Sequence, residues 1–436
     1  MTVNFTSFFF RREFLFMSLF NIVRPICCGM DVHKNLIVAT IATTDHEGVT
    51  TFLQRSFTTM HKDLLDLKQW LKDNNCFEAV MESTGKYWIP VFNALEDEIK
   101  IYIAHPKYTK SIRGKKTDKK DSRWIANLFK CDLINFSFIP PKDIRELRDI
   151  CRYRTKLIAM RSSERLRYQN CMTVSNINID SVLSDSFGKS AKAIMSEVLS
   201  SKTIDEQKIS ALLQRRAKSK LRQVLDALEG SHIESDQRLK MKVIIEHSSQ
   251  LDKHIEEVEK EMFKRCLPFK GYIDAMCEIP GISLISAMII ISEIGTDMSV
   301  FESDKKLCGW VGLAPTNNES HNKKKSVRIS KAGSYLKPVL VQCALSAIRN
   351  KGSYYNIKYS KIKKRRGHKK AIIAIARKLL VACYHILRTG ETYNPCDYES
   401  ITNPKPTKNT SFTVESALAF LQKQGFDTSA LVQQPV

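Results

Sequence analysis

The stretch Ile26-Cys27-Cys28-Gly29-Met30-Asp31-Val32 is a short apolar run carrying one acid. A second run from Leu36 to Thr43 and a third from Thr51 to Phe57 follow it, with His46-Glu47-Gly48 as a turn between them. Runs of this length bounded by turn residues read as strands, and three in succession predict an antiparallel meander. Leu64, Leu65, Leu67, Trp70 and Leu71 then recur at helical spacing. Phe77 to Met81 is a short buried strand, Tyr87 to Leu95 is helical, and Ile101 to Ala104 is a further strand. Strands first, then helix alternating with strand, describe an α/β domain on a mixed sheet over residues 26–141. Pro140-Pro141 breaks any element that reaches it.

Beyond the prolines the pattern turns helical, so the expected fold class is α/β plus all-α. Leu147, Ile150, Leu157, Ile158 and Leu166 trace one face of a basic helix, and Thr203 with Glu206 forms a capping box ahead of Ile209, Leu212 and Leu213, with Gly230 as that helix's stop. Ile244, Leu251 and Val258 stand seven apart, as do Ile255 and Met262 beside them. That seam fits either a short coiled coil or an internal helical hairpin within the middle segment, 142–266. From 267 to 400 the helices are shorter and more apolar. Ile279-Pro280-Gly281-Ile282 resembles the turn of a helix-hairpin-helix, whose glycine lets backbone N–H groups approach phosphate. A polar tail, 401–436, carries one expected helix at Val414 to Leu421.

Composition narrows the function. The chain has 436 residues with 69 Lys+Arg against 46 Asp+Glu, a formal charge of +23. At roughly 150 residues per domain that is about three domains. A content of 43% hydrophobic and 26% charged residues excludes a disordered chain, and no run approaches the ~18 apolar residues a membrane helix needs. The positive excess points to a polyanionic partner, because neutralising each phosphate releases a counterion. The twelve cysteines are scattered without a C-x-x-C pair, which reads as buried thiols in a reducing cytoplasm rather than as disulfides or a zinc site. Residues 1–25 read as an N-terminal extension. Arg11-Arg12-Glu13-Phe14-Leu15 has the outline of a twin-arginine signal, but Arg24 and Pro25 cut its apolar stretch short, so initiation at Met17 is the expectation.

Four acids sit where strands end or a helix begins. Asp31 lies on the first strand, Glu82 ends the strand Phe77 to Met81, and Asp118 and Asp121 stand three apart at a helix start. The ordinary reading of Asp121 alone is a surface or N-cap acid. Acids terminating apolar strands are unfavourable unless paired or metal-bound, and the i, i+3 spacing aligns Asp118 and Asp121 on one helix face. Four carboxylates in one cavity would repel and take up protons, whereas two Mg²⁺ ions about 4 Å apart would hold them ionised and clamp a phosphodiester. Oxygen ligands favour Mg²⁺ or Mn²⁺ over zinc. Lys107, Lys110, Arg113, Lys115, Lys116, Lys119, Lys120 and Arg123 surround the helical pair, a setting that fits a phosphate substrate better than a plain solvated loop.

These residues carry a resemblance. Gly29-Met30-Asp31-Val32-His33-Lys34, Glu82-Ser83-Thr84-Gly85-Lys86-Tyr87 and Lys116-Thr117-Asp118-Lys119-Lys120-Asp121 are similar to the DEDD motifs of the RuvC-like, RNase H-type domain in insertion-sequence one-ten (DEDD) family transposases. Ile279-Pro280-Gly281, Leu307, Gly309 to Pro315 and Arg328-Ile329-Ser330-Lys331-Ala332-Gly333 resemble that family's C-terminal transposase domain, and Ala371 to Leu387 its closing helix. The resemblance spans roughly residues 26–395. It implies a recombinase in which Asp31, Glu82, Asp118 and Asp121 hold metal, and a nucleophilic serine follows the Gly-Leu-x-Pro segment. The matching position is Ser320, which no spacing rule would single out; where the family has Gly after it, this chain has His321.

The resemblance further implies phosphoryl transfer through a serine-linked intermediate. The partners implied are DNA of the element junction and target, an element-encoded guide RNA, and a homo-oligomer, dimer or tetramer. Lys323, Lys324, Lys325, Arg328 and Lys331 would bind phosphate near Ser320, and the basic run Lys361 to Lys370 suits RNA. Two rivals stay open. A metal-dependent junction resolvase would use the four acids alone and keep cleaving as Ser320→Ala. A non-catalytic nucleic-acid-binding protein would show no Mg²⁺ dependence.

Overall fold

The computed structural model describes residues 21–83, 85–106, 118–201, 205–315, 318–320, 323–326, 328–395, 397–398 and 422, with backbone only at 318–320 and 323–326. Lys107, Lys110, Arg113, Lys115, Lys116, Thr203, His321 and the expected helix Val414 to Leu421 lie outside them. The chain divides into two units, Met1–Ile139 and Pro140–Val436.

In the first unit the order is β1 (Ile26–Val32), β2 (Ile37–Thr44), β3 (Thr50–Phe57), α1 (His61–Asp73), β4 (Glu78–Glu82), α2 (Trp88–Leu95), β5 (Lys100–Ala104) and α3 (Asp118–Lys130). The sheet runs β3-β2-β1-β4-β5. β1, β2 and β3 pair antiparallel, while β4 pairs parallel with β1 and β5 parallel with β4, so the sheet is mixed. Strand alternation sorts the central strand's residues between two cores. Cys28, Met30 and Val32 join Ile37, Ala39 and Met81 beneath α1 and α2, whose Leu64, Leu67, Leu71, Val91 and Leu95 complete that core. On the other face, Cys27, Ala42, Val80 and Ala104 pack with Ile125, Ala126 and Phe129 of α3. Gly29 is the reason α3 sits so close. A Cβ there would lie 2.3 Å from the Ala126 backbone nitrogen and 2.5 Å from the Ser122 carbonyl oxygen.

The second unit is helical: α4 (Lys142–Val174), α5 (Ile179–Val182), α6 (Lys189–Ser200), α7 (Glu206–Leu212), α8 (Leu221–Leu228), α9 (Ser235–Cys266), α10 (Lys270–Cys277), α11 (Leu284–Ile294), α12 (Asp304–Trp310), α13 (Leu336–Ala347), α14 (Tyr354–Arg366) and α15 (His368–Thr389). A two-stranded ribbon, β6 (Asn318–Ser320) with β7 (Lys323–Ser326), lies between α12 and α13. The heptad seam is filled from within the chain. Leu251 and Ile255 of α9 cluster with Leu157 of α4. Arg265–Glu146 at 2.6 Å, Arg154–Glu259 at 2.5 Å, Arg161–Asp252 at 2.7 Å and His247–Glu164 at 3.3 Å make the pairing antiparallel. Of the two readings of that seam, the internal pair is the one observed, with the two helices separated in sequence by α5 to α8.

Four local expectations change. Leu166 is 62% exposed, because α4 turns Glu164 and Tyr168 inward instead. α7 begins at Glu206 with Asp205 as its cap, the carboxylate accepting from the Gln207 N–H. Gly230, in the left-handed region at φ +69°, follows α8 rather than α7, which stops at Leu212. Gly281, at φ +95°, does not face open space, since a Cβ there would meet the Cys343 carbonyl oxygen at 2.5 Å. Its lack of a side chain is used to seat the α10–α11 turn on α13.

Candidate metal centre

Asp31 stands near the end of β1, opposite Val38 of β2, and is 9% exposed. Its strand parity is that of Cys27 and Gly29, so it faces α3. The chain then turns tightly into β2, with the His33 N–H donating to the Leu36 carbonyl at 2.8 Å. Asp31 and His33 are two residues apart, and the imidazole Nε2 lies 3.2 Å from Asp31 Oδ2 and 3.6 Å from Asp118 Oδ1. The three ligand atoms all lie within 4.8 Å of one another.

Asp118 owes its place to the way the first turn of α3 is tied down. The Ser122 and Thr40 hydroxyls, both fully buried, are 2.7 Å apart. Gln54 Nε2 donates to Thr40 Oγ1 at 2.8 Å, to Ser122 Oγ at 3.1 Å and to the Lys119 carbonyl at 2.8 Å. This network joins Thr40 of β2 and Gln54 of β3 to Lys119 and Ser122 of α3, and it fixes the helix start against the sheet.

Burial pushes the Asp31 carboxyl above its ordinary value. His33 opposes the shift, while the charges of Asp118 and Asp121 add to it. A buried carboxylate with two like charges nearby and one imidazole is short of positive charge, and a divalent cation among the same donors would supply it. The donor set, carboxylate oxygens with one imidazole nitrogen, fits such an ion.

The expected site residues fall in four groups. Asp31 and Asp118 meet, and Asp121 is close enough to act on Asp31 electrostatically. Glu82 ends β4 one step beyond Met81, the partner of Met30, which puts it at the same sheet end as Asp31 but outside the three-ligand cluster. Lys119 and Lys120 are exposed on α3, and Arg123 lies over the Phe52 ring at 3.9 Å. In the second unit, Ser320 is in a strand rather than a loop: its backbone pairs with Lys323, and Glu319 with Lys324, so the expected Lys323, Lys324 and Lys325 form β7. Arg328 and Lys331 are exposed just after the ribbon. His33 was not singled out as a ligand from sequence. The signal was its i+2 spacing from Asp31, which puts both on one face of an extended chain.

Comparison with known proteins defines the class. Residues 28–176, which hold the strand ends and α3, match a DEDD-type transposase model of the IS110 group, and residues 274–360 match the transposase model of the IS116/IS110/IS902 family. The two matched segments are therefore those of the insertion-sequence transposase class. Within that class, the two matched segments place the chain in the IS110 family.

Among its relatives is the transposase for insertion sequence element IS1111A of Coxiella burnetii, 29% identical over 26% of this chain and 32% of that protein. An uncharacterized 42 kDa protein of insertion element IS900 from Mycobacterium paratuberculosis is 28% identical over 31% of this chain and 33% of its own length. Putative transposase y4qE of Sinorhizobium fredii is 37% identical over 16% and 18%. The matched stretch thus spans about a third of the first two relatives. No helix among the described residues is long and apolar enough to cross a membrane.

Proposed function

We propose that this chain is a DNA transposase of the recombinase type, acting in the cytoplasm, and that its first unit is a RuvC-like nuclease domain. Asp31, Glu82, Asp118 and Asp121 would hold Mg²⁺ or Mn²⁺, which when bound neutralises the acids and polarises a phosphodiester. The Ser320 hydroxyl then attacks phosphorus. Its proton leaves, an Oγ–P bond forms, and the P–O bond to the departing strand breaks, that strand's oxygen taking a proton. Because no water enters, the bond energy is kept in the phosphoserine for rejoining. Lys323, Lys324, Lys325, Arg328 and Lys331 would hold phosphates beside the serine, and Lys115, Lys116, Lys119 and Lys120 would add the positive charge that draws the backbone toward the acids. An element-encoded RNA would read the junction and target DNA, and a dimer or tetramer on nucleic acid would bring hydroxyl and acids to one phosphodiester.

The observation that carries this reading is the meeting of Asp31 and Asp118, from a central strand and a helix start, inside the segment that matches the DEDD-type transposase model. The test incubates the protein with the element's junction DNA and RNA, in Mg²⁺ or EDTA, and looks for a protein–DNA adduct. The expected adduct needs Mg²⁺, maps to Ser320 and disappears in Ser320→Ala. Cleavage that survives Ser320→Ala would point to a junction resolvase. Binding without Mg²⁺ dependence, with Asp121→Asn unchanged, would point to a non-catalytic nucleic-acid protein. Light scattering that gives a monomer on DNA and RNA would remove the assembly.

A further inference from the structure

We infer that His33 is itself a metal ligand, so that the centre binds Mn²⁺ through a nitrogen and prefers it to Mg²⁺; this rests on the metal-dependent reading above. Around a six-coordinate ion with ligands at about 2.1–2.2 Å, neighbouring ligand atoms lie about 3 Å apart and opposite ones a little over 4 Å. The separations of His33 Nε2 from the two carboxylate oxygens, 3.2 and 3.6 Å, are those of neighbouring positions to within a few tenths of an ångström. All three atoms lie within 4.8 Å of one another, so drawing them onto one octahedron takes at most a few tenths of an ångström of closure between the two carboxylates.

The imidazole is held there by construction. Its backbone N–H closes the β1–β2 turn on Leu36, and the i+2 spacing sends it to the face of Asp31. Ligation needs the Nε2 lone pair, with the proton on Nδ1. The chemistry then sets the preference between the two: Mg²⁺ is hard and keeps oxygen ligands, whereas Mn²⁺, the first member of the first-row affinity series at mixed nitrogen and oxygen sites, takes one nitrogen beside its carboxylates. The four-acid reading from sequence contains no such discrimination.

The test uses the full chain with Mn²⁺ as the probe, read by pulsed electron paramagnetic resonance for ¹⁴N coupling and by titration for affinity. Native protein should show a directly bound nitrogen. His33→Gln should lose that signal and roughly tenfold or more in Mn²⁺ affinity, with Mg²⁺ affinity little changed. His33→Asp should restore ion binding and tilt the preference toward Mg²⁺ without the nitrogen signal. Thermal unfolding of His33→Gln in EDTA should stay close to that of the native chain, His33 being half-exposed, whereas His33→Asp adds a carboxylate beside Asp31 and Asp118 and should melt lower until Mn²⁺ is added. If Mn²⁺ binding requires Asp31, as judged by Asp31→Asn, yet shows no nitrogen coupling, His33 is a counter-ion and the inference falls while the metal reading stands. If Asp31→Asn leaves Mn²⁺ binding intact, both fall.

Discussion

Asp31 in the first unit and Glu293 in the second are both buried acids, and the protein treats them in opposite ways. Glu293 on α11 is 3% exposed and fully answered by arginine. Arg152 donates Nε to Oε1 at 2.7 Å and Nη2 to Oε2 at 2.8 Å. Arg148 Nε stands 3.9 Å from Oε2, and its guanidinium donates to the carbonyls of Ser292 at 3.0 Å and Glu293 at 2.7 Å. Asp31, almost as buried, faces two more acids and a half-exposed imidazole. An acid kept for structure brings its counter-charge with it. An acid kept for a ligand is left short of one, and the charge deficit marks the site more sharply than burial does.

Breaking the balanced side of this comparison should have the largest effect. Glu293→Ala takes the carboxylate from Arg148, whose side chain is 14% exposed, and from Arg152, 37% exposed, and should destabilise the chain by about 2–4 kcal/mol, read as a lower unfolding midpoint in urea. A loss below about 1 kcal/mol would mean the arginines relax to solvent and the clamp is not structural. Next in size is Gly29→Ala. Its Cβ would press on backbone of α3 at 2.3 Å, and the helix must lift, at about 1–3 kcal/mol. Because Asp31 rides on β1 and Asp118 on α3, the same change should weaken Mn²⁺ binding, which calorimetric titration measures. Unchanged affinity would show that the two acids do not depend on the β1–α3 contact.

Much of the first unit was legible in its residues. The ends of β1, β4 and β5 fall within one residue of the apolar runs, since alternation and strand length admit few other placements for them. The Asp118–Asp121 pair could be aimed at Asp31 because helical spacing and a strand end are both local facts. What could not be read was long-range. The heptads of α9 announce a filled seam but not that α4, far away in sequence, fills it. Gln54 looks like an ordinary exposed strand residue, and only the arrival of α3 adds the Lys119 carbonyl and the Ser122 hydroxyl to its neighbour Thr40 as acceptors. His33 lies one residue past the end of β1, and its i+2 spacing from Asp31 marks it only once Asp31 and Asp118 have been brought together. At Gly281 a Pro-Gly turn was visible, but the helix backbone pressing on it was not.

The smallest effect, and the one that most sharpens the contrast with Glu293, is expected from Asp31→Asn. Without metal the substitution removes a buried charge that its neighbours oppose, so the variant should gain about 0.5–1 kcal/mol at neutral pH in EDTA. The sign follows from linkage. The folded carboxyl titrates above its ordinary value of 3.8, so the unfavourable ionised state is fully present above the folded pKa. The gain should therefore shrink as pH falls through that raised value, where protonation relieves the native chain as well. Adding Mn²⁺ should reverse the order of the two proteins, because the ion stabilises only the chain that binds it. Thermal melts at neutral and acid pH, with EDTA and with Mn²⁺, measure all of this. A variant less stable than the native chain in EDTA would mean that the Asp31–His33 contact outweighs the repulsion, and that Asp31, like Glu293, is held for structure.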